Sequence, residues 1–193
     1  IMQRDDVSNK NSVILDVIVD KKAKMRIRHI EIVGNKALSD KKIKGSLFTK
    51  GAFKKIHESG KFGNIFKSKK YTPERWKEDK RNLIKKYNEY GFRDAVILED
   101  SVWNVDDKHV NILVKVDEGT KYYLRNITWV GNTVYATDYL NALLGMKKGD
   151  VYNQTLMSKR LTEDDDAVGN KYWNNGYLSV SYTHLRAHET LRY

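Results

Sequence analysis

The sequence predicts an α+β chain built as tandem repeats, each running β-α-α-β-β with two helices packed on one face of a three-stranded mixed sheet. Three observations predict it. Lys24–Leu47 (KMRIRHIEIVGNKALSDKKIKGSL) and Lys121–Leu144 (KYYLRNITWVGNTVYATDYLNALL) match at a constant offset of 97. An alternating apolar stretch precedes each copy at the same offset, with Val13, Leu15, Val17, Val19 and Asp20 falling on Val110, Ile112, Val114, Val116 and Asp117. Between these strands lie two stretches with helical periodicity.

The first strand, Met25–Val33, is rich in β-branched residues and ends on Gly34-Asn35, a turn pair that tolerates positive φ. Its counterpart ends on Gly131-Asn132. Ile30 and Ile32 alternate but Ile27 is out of phase, and the second copy repeats this spacing, so a kink or bulge is expected there. Ser39 is placed to cap a first helix whose Ile43 and Leu47 share a face. Thr72-Pro73-Glu74 opens a second helix, with a capping hydroxyl, proline at the first position and a carboxylate in the first turn. Trp76, Leu83, Ile84, Tyr87 and Tyr90 line one side of it, and Gly91 ends it. Ala95–Trp103 and His109–Val116 read as two strands joined by a polar turn at Asn104–Lys108. Tyr87–Phe92 resembles Tyr172–Tyr177 at an offset of 85 rather than 97, so the first copy carries twelve extra residues, which fall within Phe48–Lys70.

These boundaries divide the chain into 1–22, the closing strands of a truncated copy; 23–119, a complete copy; 120–179, a second truncated copy; and a tail, 180–193. Val180–Thr190 (VSYTHLRAHET) reads as the translation of a transposase sequencing adapter, so the tail is expected to be foreign, and His184 and His188 drop out as ligand candidates.

Composition narrows the function. Of the 193 residues, 40% are hydrophobic and 32% charged, a balance suited to a folded chain. No run of 18 apolar residues is present, and without cysteine there is neither a disulfide nor a thiolate site. The net charge of +11 is concentrated: Lys41–Lys86 holds 16 Lys/Arg against 4 Asp/Glu, while the rest is nearly balanced. Such a block suits an anionic partner (nucleic acid, lipid headgroups or an acidic protein), or simply solvated helix faces. The expected basic surface comprises Lys54, Lys55, Lys61, Lys67, Lys69 and Lys70. A nucleic-acid reading would interleave these with Phe53, Phe62, Phe66, Tyr71 and Trp76 as stacking aromatics; the block is mostly Lys and carries no RNP-like or GXXG signature.

Catalytic, metal and cofactor sites are not expected. Glu163-Asp164-Asp165-Asp166 reads as four consecutive helical residues, which point in different directions and cannot converge on one cation. Asp100–Asn111 lacks the glycine and closing glutamate of a calcium loop. His29, His57 and His109 are far apart, with no HExxH pattern, and no GxSxG, Walker loop or GxGxxG occurs.

The element order, the I-x-x-V-G-N ending of strand one and the Y-x-x-x-G-[FY] step into strand two resemble POTRA (polypeptide-transport-associated) domains. Back-to-back copies resemble the arms of outer-membrane assembly factors of the BamA family. The resemblance implies tandem POTRA repeats forming a non-enzymatic scaffold at the periplasmic face of the outer membrane. Its partners would be unfolded outer-membrane β-barrel proteins, assembly lipoproteins and its own C-terminal barrel, with no nucleic acid. A secretion or TamA-like transporter arm is the alternative within the fold. The resemblance also implies that the strand after helix two is an exposed edge able to take up a client strand. Here Ala95, Val96, Ile97 and Leu98 are apolar on both faces, and Glu99 and Asp100 are placed to stop pairing. The competing expectation is that both faces of this strand are buried.

Overall fold

The structure, a computed structural model, describes residues 2–5, 13–17, 24–45, 51–60 and 70–177. β1 (Met2–Asp5) pairs antiparallel with β2 (Val13–Asp16), at the position that the offset of 97 relates to the later strands. The central unit follows as β3 (Arg26–Val33), α1 (Asp40–Lys44), α2 (Pro73–Glu89), β4 (Val96–Asp106) and β5 (His109–Asp117). Its sheet order is β3-β5-β4, with β5 parallel to β3 and antiparallel to β4. The helical connection between β3 and the hairpin β4–β5 covers one sheet face, which makes the sheet mixed.

The core lies between that face and the helices. Ile27, Ile30 and Ile32 from β3 and Val110, Ile112, Val114 and Val116 from β5 pack against Ile43, Trp76, Leu83 and Tyr87. The out-of-phase Ile27 is accommodated as expected: the β3–β5 register shifts between Ile27 and His29, so both Ile27 and Ile30 face inward. Thr72 caps α2 by accepting from the Arg75 N–H (3.3 Å), with Pro73 in the first turn. Ser39 occupies the N-cap of α1 but its hydroxyl makes no capping bond; its carbonyl accepts from Lys42 (2.9 Å) and Ile43 (3.2 Å) instead.

Two expectations about the strands are corrected. β4 runs to Asp106, beyond Trp103, and the turn shrinks to Asp107-Lys108 because Asp106 itself organises it, accepting from the Lys108 N–H (2.8 Å) and facing His109 Nδ1 (2.9 Å). Asp106 is held below its ordinary carboxylate range, chiefly by that Lys108 hydrogen bond. Ala95 lies just before the strand, buried, with its N–H on the Phe92 carbonyl (3.3 Å).

The second copy repeats the turn chemistry of the first. Asn35 Nδ2 donates to the Leu38 carbonyl (3.0 Å) and Asp40 Oδ1 (2.9 Å); Asn132 Nδ2 donates to the Tyr135 carbonyl (3.2 Å) and Thr137 Oγ1 (3.1 Å). All three positions correspond at an offset of 97. Gly34 (φ 91°) is sterically required as well: a Cβ there would sit 2.0 Å from the Val116 carbonyl oxygen. A Cβ at Gly131 (φ 78°) would meet nothing within 4 Å among the described residues. The strand expected at 122–130 is likewise reduced to a single bridge, Tyr123 to Val151, because no counterpart of β5 lies beside it among the described residues.

Helix one of the second copy is α3 (Thr137–Leu144), and helix two departs from expectation. It runs as α4 (Gln154–Ser158), a π-helical turn (Lys159–Glu163) and α5 (Val168–Asn174). The Tyr71 N–H to Met25 carbonyl bond recurs as Tyr152 to Tyr122, and the Thr72 cap recurs as Asn153. Both place the start of helix two at an offset of 81. The first copy therefore carries sixteen extra residues before helix two, and the second carries four of its own inside it. The π turn, closed by the Asp164 N–H on the Lys159 carbonyl (2.9 Å), absorbs part of that surplus. Asp164–Asp166 consequently lie in a turn rather than a helix, with Arg160 paired to Asp164 (3.8 Å) and Asp166 (3.3 Å).

Candidate functional site

The two edges of the central sheet differ. The outer edge of β3 is covered over Arg26–Ile30 by residues from the extra segment. The Ser59 N–H donates to the Ile27 carbonyl (2.7 Å), the Ile30 N–H to Glu58 Oε1 (2.8 Å), and Lys70 bridges to Arg26. Glu58 is buried and also receives Lys44 Nζ (3.3 Å) and His29 Nδ1 (3.0 Å). The segment is itself fastened to α2. Asp79, fully buried, accepts the backbone N–H groups of Lys54, Lys55 and Ile56, each at 2.8 Å, and Asn82 Nδ2 at 3.1 Å. Phe53 and Ile56 then enter the core, Phe53 edge-on to Trp76 at 5.7 Å. A third buried carboxylate, Glu118, accepts from the Ala37 N–H (2.9 Å) and fixes the turn after β3 to the end of β5.

The outer edge of β4 has no hydrogen-bonding partner among the described residues; the strand pairs only with β5. Its apolar side chains are not buried on both faces: Val96 is 48% and Leu98 58% exposed, and Trp103 is 44% exposed further along. Ile97 and Val102 pack against the core. The register shifts between Ile97 and Glu99, so Leu98 is the surplus residue of a bulge, and a second shift lies between Asn104 and Asp106. Glu99 is exposed, whereas Asp100 turns back to α2, accepting from Trp76 Nε1 (2.9 Å) and Lys80 Nζ (2.8 Å). Burial pushes the Asp100 carboxyl up, but the hydrogen bonds from Lys80 and Trp76 outweigh it and hold the group below its ordinary range.

Of the basic residues, Lys54, Lys55 and Lys70 are exposed, with Lys55 Nζ 3.3 Å from Glu78; Lys61, Lys67 and Lys69 lie outside the described residues. The described aromatics of the block are not arrayed for stacking. Phe53 and Trp76 are buried and Tyr71 packs on the core; Phe62 and Phe66 lie outside the described residues, as do His184, His188 and the tail. His29 and His57 belong to the β3 side of the sheet and His109 to the opposite hairpin. Among the described residues no group of three or more His, Asp or Glu could hold a metal ion, and no helix is long and apolar enough to cross a membrane.

Sequence reasoning missed Asp79, Glu58 and Glu118. For Asp79 a signal existed: it falls on the stripe of Trp76, Leu83 and Tyr87, so an acidic side chain was aimed at the core.

The fold is a mixed three-stranded sheet under two helices, followed by a second copy of the asparagine turn and of the helices. The family model for POTRA, described as "Surface antigen variable number repeat", matches residues 25–119 and 122–187. The chain belongs to this family of non-catalytic binding modules. Within it, the chain is similar to assembly factors of the BamA type: 24% identical over 173 residues to "Outer membrane protein assembly factor BamA" of Neisseria meningitidis, covering 89% of this chain and 21% of that protein. It is 27% identical to a "Putative outer membrane protein assembly factor" of Treponema pallidum, over 86% of this chain and 19% of that one. The chain thus spans about a fifth of the length of these relatives. The crystal structure of Haemophilus influenzae BamA POTRA3-5 shares the fold, with a TM-score of 0.52 at 18% identity, over 75% of this chain and 54% of that one.

Proposed function

We propose that this chain is part of the periplasmic POTRA arm of an outer-membrane β-barrel assembly factor, and that it receives unfolded barrel proteins by adding their strands to the outer edge of β4. The carrying observation is the asymmetry of the sheet: β3 is covered over Arg26–Ile30 by its own chain, while β4 offers its backbone and exposed Val96 and Leu98. Backbone hydrogen bonds ignore sequence, so one edge serves many clients, and alternate side chains add modest selectivity. Val96, Ile97 and Leu98 supply the backbone groups to the client strand, Ala95 precedes them, and Glu99 and Asp100 set where pairing stops and limit self-association. Assembly lipoproteins and a C-terminal barrel in the outer membrane complete the set of partners. The exposed Lys54, Lys55 and Lys70 belong to a basic block that serves anionic headgroups or an acidic partner protein, and charge reversal at Lys54, Lys55, Lys69 and Lys70 is expected to reduce binding to anionic liposomes at low salt.

Proline at Val96 or at Leu98 removes a donor N–H and distorts the edge. Where that N–H points outward, the variant stays folded by circular dichroism and loses affinity for barrel-derived peptide. Two folded proline variants with parental affinity would exclude this strand as the site.

A further inference from the structure

Where the two copies meet, α2 of the first and α4 of the second flank a groove of about 580 Å³. The α2 side presents Lys77, Arg81 and Lys85, spaced four residues apart and therefore on one face. All three are exposed, and none makes an ion pair among the described residues. Lys80, which also lines the groove, is already engaged by Asp100 (2.8 Å). Like charges at this spacing destabilise an isolated helix, so nothing in the fold of α2 calls for the stripe. Ile84 and Ile97 add apolar surface, and the α4 side is neutral and hydrogen-bonding, with Gln154, Thr155 and Ser158.

We infer that this groove binds an extended acidic segment of a partner polypeptide, with carboxylates at alternate positions meeting Lys77, Arg81 and Lys85. The spacing carries the argument. Four helical residues rise about 6 Å, and alternate residues of an extended chain lie about 6.6–6.8 Å apart, so successive carboxylates keep step with successive cations. The groove is concave and flanked by two helices, which suits a single chain rather than a bilayer surface. Glu163, from the second copy, lines the groove as well, and a chain can place a neutral residue there. The inference does not rest on strand addition at β4, since side-chain charge carries it.

The test uses the full chain and a fluorescent decapeptide of alternating Asp and Ser, read by fluorescence anisotropy at low salt. K77Q/R81Q/K85Q is expected to weaken binding about tenfold or more, and K36Q/K108Q/K115Q, which removes the same net charge at exposed positions elsewhere, by no more than about twofold. Ser158→Trp, which obstructs the groove from the α4 side without touching a cation, is expected to weaken it as well. Thermal unfolding checks that each variant is folded. Equal losses from the two triple variants, or no effect of Ser158→Trp, would overturn the inference. So would failure of the peptide to bind while anionic phosphatidylglycerol vesicles bind through Lys77, Arg81 and Lys85.

Discussion

Replacing Asp79 is expected to release the segment that guards the β3 edge. Asp79 accepts three backbone N–H groups at 2.8 Å and is itself fully buried. Hydrogen bonds to a charged group contribute roughly 1.5–3 kcal/mol each, and removing one partner of a buried set costs about 3–5 kcal/mol, because the groups left behind stay desolvated. Asp79→Ala should therefore lose about 3–5 kcal/mol. Asp79→Asn, which keeps one acceptor oxygen but turns an amide N–H toward the others, should lose about 1.5–3 kcal/mol. With an m-value of about 1–3 kcal/mol/M, the urea midpoint of the alanine variant falls by at least about 1 M. Hydrogen exchange locates the damage: Phe53–Ser59 and the outward amides of β3 should speed up before β5 does, because Ser59 and Glu58 hold that edge only while Asp79 holds the segment. The uncovered edge should then make the variant self-associate. An unfolding free energy within about 0.5 kcal/mol of the parent, with unchanged exchange at Phe53–Ser59, would refute the reasoning, since surface substitutions alone give effects of that size.

Further outcomes follow from individual contacts. Gly34→Ala and Gly131→Ala both force a side chain into positive φ, at about 1–2 kcal/mol, but only the first drives a Cβ to 2.0 Å from the Val116 carbonyl oxygen; urea titration should show a clearly larger loss for Gly34→Ala, and equal losses would contradict the close packing of that turn on β5. Asp100 titrates below its ordinary value in the folded chain, so its contribution is complete above about pH 4 and fades as pH falls through the folded pKa. The stability gap between the parent and Asp100→Asn should therefore be widest near neutral pH and close as pH falls through the folded pKa, and a gap that widens on acidification would contradict the Lys80 and Trp76 contacts.

The element order was legible because it rests on local signals that tertiary packing reinforces. Alternation in Val110–Val116, the stripe on Pro73–Glu89 and the Thr72-Pro73 start each agree with the side of the core they face. Even the bulge near Ile27 could be read, since only a register shift puts both Ile27 and Ile30 inside. The guarded edge was not legible. Residues 51–60 read as part of a basic loop, because Lys54 and Lys55 dominate the composition while Phe53 and Ile56 carry the packing. The buried carboxylates bind backbone N–H groups 23 to 81 residues away, and no local pattern encodes such pairs. The extended β4 was hidden by Asn104 and Asp106, turn-forming residues that here continue the strand to a tighter turn.

The central claim is that β4, and not β3, accepts a client strand. Backbone amide exchange of the full chain, resolved by NMR with and without saturating barrel-derived peptide, tests it most directly. New protection is predicted at the outward amides of Val96–Leu98, stopping at Glu99 and Asp100, with β3 unchanged. New protection at Arg26–Val33 with none in β4, or peptide binding without protection in either strand, would contradict it.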